Sequence, residues 1–140
     1  MKLYFASDIR HARKWIDYRN KLYPNITVVS SWIDLMKDGE IVNPKEGLVK
    51  ESWENNIKDV LLCDVLVLYA EPGDSMRGSC FEAGVAFTLR KSIVYVGDLK
   101  TIGTVECCFH ASFRDLDHCL ETLKIEMWMK KGATVEPTRN

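Results

Sequence analysis

Residues 77–97, RGSCFEAGVAFTLRKSIVYVG, set a turn, a helix start bearing a carboxylate and a buried strand one after another, with no spacer between them. Glu82 lies three positions after Ser79 and just ahead of the helical run Ala83, Gly84, Ala86, Phe87. It is therefore expected to project from the first helical turn at the rim of a parallel sheet. The same spacing is an S-x-x-E capping box, in which the two side chains satisfy amide donors at their own helix start. Local sequence alone favours that second role. The preceding segment shifts the balance, because the all-apolar run VLVLY (65–69) feeds a Pro, Gly and Asp loop that delivers Glu82 to the strand's carboxyl end. Ligand crevices of open α/β sheets lie there.

Working outward, residues 2–7 (KLYFAS) read as a first strand, and residues 8–22 place Ile9, Ala12, Trp15, Ile16 and Leu22 at spacings of one helical face. Pro24 and Asn25 end that helix. Residues 26–29 are a short β-branched strand, and residues 30–45 mix turn formers with Trp32, Ile33, Leu35 and Met36, as in a long loop with a helical turn. From 46 to 62 the positions Leu48, Val49, Trp53, Ile57, Val60 and Leu61 recur at helical intervals. Beyond Gly97 come a polar loop, a short strand within 106–113 and a last helix over 116–129, capped ahead by Asp115. Alternating strands and helices predict an α/β three-layer sandwich: a mostly parallel sheet of about five strands with helices on both faces, flavodoxin/Rossmann-like. Residues 1–130 are expected to form one domain. Residues 131–140 are expected to be a frayed, flexible tail, of the kind that in an oligomer lies across a neighbour.

Nineteen basic and twenty acidic residues give a formal charge of −1, with no long basic run, so the electrostatic footprint of a nucleic-acid-polymer binder is absent. The 140 residues suffice for a core without disulfide or metal support. Five cysteines, an odd count without a C-x-x-C pair or metal-ligand spacing, indicate a reducing, cytoplasmic setting. Cys80, close to a helix start, is a candidate reactive thiol, although a small apolar filler is the commoner role. Neither a signal peptide nor a membrane span is indicated.

Three segments together resemble the nucleoside 2-deoxyribosyltransferase family, including the related deoxynucleoside 5′-monophosphate N-hydrolases. LYFASDIRHAR looks like the family's first strand and sugar-contacting turn, CDVLVLYAEPGDS like its central strand and loop, and RGSCFEAGVAF like the helix start with its nucleophilic glutamate. VVSSWI resembles the second strand of its smaller members. The resemblance implies cleavage of the N-glycosidic bond of a nucleoside or nucleoside monophosphate, by transfer to another base or to water. It implies no metal or organic cofactor, and a homo-oligomer in which a neighbouring subunit completes the pocket. Glu82 would be the nucleophile, capturing the oxocarbenium-like sugar as retaining glycosidases do.

Asp74, eight residues before Glu82, is the nearest acidic candidate to assist the leaving base, although Pro72-Gly73-Asp74-Ser75 is also a good turn. The family carries an aspartate on the preceding helix, and the matching position here is Asn56, an amide that holds hydrogen bonds without charge. Asp59 lies three residues on. That departure leaves open a non-catalytic nucleotide-binding or sensing module on the same fold. An NAD- or nucleotide-sugar-cleaving activity would need a wider crevice. Ser7, Ile9, Arg10, His11, Gly78 and Ser79 occupy the places where nucleotide-hydrolysing relatives hold a 5′-phosphate, and free amides with an arginine fork suit that anion. Individually, Arg10, His11 and Arg77 are more often solvated. Tyr4 and Trp32 are candidates to border the base or sugar, and Asp64, His110 and His118 are assigned structural roles.

Overall fold

The computed structural model describes residues 1–21, 25–37, 40–41, 49–98 and 108–130. The central sheet has the order β2-β1-β5-β6-β7, every neighbouring pair parallel: β1 Lys2–Ala6, β2 Thr27–Val28, β5 Val65–Tyr69, β6 Ser92–Val96 and β7 Ala111–Phe113. Met36–Lys37 (β3) and Glu40–Ile41 (β4) form a separate antiparallel pair. The helices are α1 Ala12–Lys21, α2 Val49–Leu62, α3 Arg77–Thr88 and α4 Leu116–Lys130. This is the expected α/β sandwich. Parallel neighbours require crossovers; α1 supplies the one from β1 to β2, α2 lies on the one from β2 to β5 and α3 on the one from β5 to β6.

Burial follows from the layering. All five residues of β5 are buried, as are Leu3–Ala6 of β1, because helices cover both faces of the sheet. Successive strand residues point to opposite faces. On β1, Phe5 stacks on Trp15 of α1 with ring centroids 4.3 Å apart, whereas Tyr4 turns to the other face and acts on Glu82 of α3. Thus α1 and α3 lie on opposite sides. Tyr18 of α1 donates to Asp117 at the start of α4 (2.9 Å), placing α4 beside α1.

The sheet edges are pinned by a few polar groups. Asp64 accepts the Lys2 amide at 2.7 Å, and His110 accepts the Ile93 amide at 3.0 Å, so both serve the sheet. His118 meets the Phe113 ring edge-on. Gly97 ends β6 at φ +146°, where an added Cβ would stand 2.5 Å from the Ala70 carbonyl oxygen. Only glycine fits that approach.

Some boundaries differ from the sequence expectation. Residues 9–11 form a 3₁₀ turn capped by Asp8 before α1 begins, and residues 31–35 form a second 3₁₀ turn that leads into the β3–β4 hairpin. The expected starts of α2 at residue 46 and of the last strand at residue 106, and the tail 131–140, lie outside the described residues. Among the described residues no helix is long and apolar enough to cross a membrane.

Candidate active site

The chain leaves β1 toward β2 on one side and returns to β5 on the other, so the strand order reverses between β1 and β5. A crevice opens at the carboxyl ends of strands at such a reversal. A pocket of about 270 Å³ occupies it. The turn after β1 contributes Ser7, Asp8 and Ile9, and the 3₁₀ turn at 31–35 contributes Trp32 and Leu35. Ser52, Trp53 and Asn56 of α2 form another wall; Ser75, Gly78, Ser79 and Glu82 come from the entry to α3 and its first turns.

Glu82 is the sixth residue of α3, in its second turn, one turn later than the spacing suggested. The capping box is not made: Met76 is the N-cap and no side chain caps that end. Instead Glu82 Oε2 and Ser79 Oγ are buried without hydrogen-bond partners, as is the Tyr4 hydroxyl. A buried, unsatisfied carboxyl oxygen is costly and calls for an explanation in function. Burial pushes the Glu82 carboxyl up to about 7; the nearby Tyr4 hydroxyl pulls it down in part and the negative charge of Asp59 pushes it further up. Tyr4 is raised in turn, by burial first and then by Glu82. The phenol therefore stays protonated beside the carboxylate, close enough to influence it without a well-formed hydrogen bond.

Other groups hold the walls. Asp59 accepts both the amide (2.9 Å) and the hydroxyl (2.5 Å) of Ser31, fixing the turn that carries Trp32 to α2. The Trp32 indole donates to the Phe5 carbonyl at 2.7 Å, and the Trp15 indole to Ser7 Oγ at 2.7 Å. Asp8 accepts the Arg10 amide at 3.0 Å and the Ser75 amide at 2.8 Å, joining the turn after β1 to the entry of α3. Burial works against ionisation of Asp8, but these two amides outweigh it and its pKa is lowered.

Of the residues singled out in the sequence, Ser7, Ile9, Trp32, Asn56, Gly78, Ser79 and Glu82 meet at this pocket, and Tyr4 lies buried against Glu82. Asp74 does not line it. The Asp74 carboxylate has no solvent exposure and is engaged by His11 Nε2 (2.9 Å) and by the Arg10 guanidinium, while it also accepts the Glu71 amide at 2.7 Å. Arg10 and His11 are consequently turned onto the 70–74 loop, away from the pocket lining. Cys80 is half-buried and its thiol is pushed up by burial, the opposite of thiolate activation. Among the described residues no cluster of His, Cys, Asp or Glu suits a metal ion.

Asp8, Leu35, Ser52, Trp53 and Ser75 complete the pocket without having been singled out as site residues. Ser52 and Asn56 stand four residues apart on α2, a same-face spacing that was available as a signal once Asn56 was suspected. Trp53 read as an ordinary apolar position of an amphipathic helix.

No family model matches this sequence, and no curated protein matches it. Solved structures do. The 2-deoxyribosyltransferase of Bacillus psychrosaccharolyticus, a biocatalyst for nucleoside synthesis, superposes with a TM-score of 0.67 at 18% identity, over 86% of this chain and 90% of that one. The CMP N-glycosidase of Clostridium botulinum superposes with a TM-score of 0.52 at 12% identity, over 89% and 99%. The chain therefore shares the fold of these two enzymes.

Proposed function

We propose that the protein is an enzyme that cleaves the N-glycosidic bond of a nucleoside or nucleotide, with Glu82 as nucleophile. The observation that carries this reading is the buried Glu82 carboxyl, unsatisfied at Oε2 and lining a pocket at the sheet's switch point. In the proposed reaction the C1′–N bond breaks with its electron pair leaving on the base, which takes up a proton. A Glu82 carboxylate oxygen bonds to C1′ as positive charge develops there. A second base or water then displaces Glu82 from C1′. Burial serves this chemistry, since a desolvated carboxylate beside the sugar stabilises the cation strongly. With a pKa of about 7, roughly half the molecules hold it ionised at neutral pH.

Asn56 and Ser52 offer an amide and a hydroxyl to the sugar, and Trp32 and Trp53 offer aromatic walls to the base. The volume, just below the roughly 300–1,000 Å³ usual for small-molecule sites, suits one nucleoside better than a dinucleotide. A second reading rests on Asn56, an uncharged group where an acid is expected: the pocket then binds a nucleoside as a sensor without turnover. We further infer a homo-oligomer in a reducing cytoplasm. Leu61 and Leu62 of α2 and Phe81 of α3 are exposed large apolar side chains that a second copy would cover.

Incubation with deoxynucleosides and deoxynucleoside monophosphates, with and without an acceptor base, tests the reading. Free base or exchanged nucleoside is expected from the wild type and none from Glu82→Gln. Ligand-induced stabilisation without product supports the sensor instead.

A further inference from the structure

We propose that Asp8 is a specificity-determining residue: it makes the Glu82 pocket select uncharged nucleosides and reject their phosphate esters. This rests on the reading of the pocket as a nucleoside site. Among its described lining residues, Asp8 and Glu82 are the only ionisable side chains, and both are acids. A phosphate entering the pocket therefore meets like charge and, among the described lining residues, no cation.

Two backbone amides that would favour a phosphate are already engaged. Backbone amides at the entry of a helix are ready anion partners. Here the Ser75 amide, two residues ahead of α3, donates to Asp8 Oδ2 at 2.8 Å, and the Arg10 amide donates to Asp8 Oδ1 at 3.0 Å. The carboxylate bridges two walls of the pocket as a resident anion. The nearest cation in the turn, the Arg10 guanidinium, bonds the Pro72 carbonyl at 3.3 Å and pairs with buried Asp74, which His11 also holds. A neutral hydroxyl meets the opposite situation, since a carboxylate that accepts two amides retains lone pairs for a further donor.

The test is a titration of the wild-type protein, Asp8→Asn and Asp8→Ser with deoxyadenosine, thymidine, their 5′-monophosphates and inorganic phosphate, read by thermal shift and calorimetry. Asp8→Asn removes the charge while its side-chain oxygen still caps the 3₁₀ turn, and the unliganded melting curve reports folding of both variants. The wild type is expected to bind at least one nucleoside on the order of 30-fold more tightly than its monophosphate. Both variants should narrow that ratio about tenfold or more, chiefly by gaining monophosphate affinity. Equal wild-type affinity for nucleoside and monophosphate, or an unchanged ratio in a folded Asp8→Asn, overturns the role of Asp8 while leaving the pocket a nucleoside site. Absence of binding by every nucleoside and monophosphate, in all three proteins, refutes the nucleoside-site reading and this proposal with it.

Discussion

His11 Nε2 lies 2.9 Å from Asp74 Oδ2, and the Asp74 side chain has no solvent exposure. This pair, reinforced by Arg10 and by the Glu71 amide, ties the loop after β5 to the turn after β1, the two segments that flank the pocket. Removing one partner leaves the other polar group buried and unpaired, which is strongly destabilising. Asp74→Ala is expected to cost about 3 kcal/mol in urea unfolding. Turnover per folded molecule should stay within a few fold of wild type; a loss of a thousandfold or more in a fully folded variant would instead make Asp74 a participant in the chemistry.

Glu82 makes stability depend on pH. Its folded pKa of about 7 lies above the ordinary 4.5, so the folded state holds the proton more tightly than the unfolded chain does. The contribution is fully present below pH 4.5 and is lost as pH rises through 7, by on the order of 3 kcal/mol. Glu82→Gln should abolish this loss, making the variant more stable than wild type at pH 8.5 but not at pH 4.5. Parallel pH–stability curves for the two proteins would mean that the carboxyl is not desolvated.

The same titration should govern catalysis. A nucleophile must be ionised, so kcat/KM is expected to rise with pH to a plateau, with a midpoint near 7. Asn56→Asp adds a like charge on the wall of the same pocket, which raises the Glu82 pKa and moves that midpoint toward alkaline pH. A pH–rate profile measures the shift; an unmoved midpoint would show that residue 56 does not reach the reacting carboxyl.

Phe81 is 57% exposed and packs edge-on against Trp53, 5.3 Å between ring centroids. Replacing it with Lys places charge in the apolar face of α2 and α3. Sedimentation is expected to show an oligomer for wild type and a shift toward monomer for Phe81→Lys. A monomeric wild type at high concentration rejects the assembly.

Much of the fold was legible because the strands carry unambiguous patterns. Val65–Tyr69 and Ile93–Val96 are apolar throughout, as strands covered on both faces must be, and helical spacing marked α1 and α2 ahead of them. Glu82 stood out by its position after such a strand. Its choice between cap and pocket did not, because S-x-x-E spacing is the same in both cases and only the start of α3 at Arg77 decides it. Asp8 was hidden for a related reason. An Asp at a helix entry reads as a cap, which it is, and its second bond to Ser75 spans 67 positions of sequence that no local pattern can join. Likewise Arg10 and His11 looked available to a ligand until the chain brought Asp74 to them.

The most direct test of the chemistry is mass spectrometry of the protein after incubation with 2′-deoxy-2′-fluoroarabinonucleosides, whose fluorine slows release of a sugar bound through C1′. The expected result is one fluorosugar adduct on the peptide containing Glu82, absent from Glu82→Gln. Release of free base at catalytic rates by Glu82→Gln, or an adduct on another residue, contradicts the proposed role of Glu82.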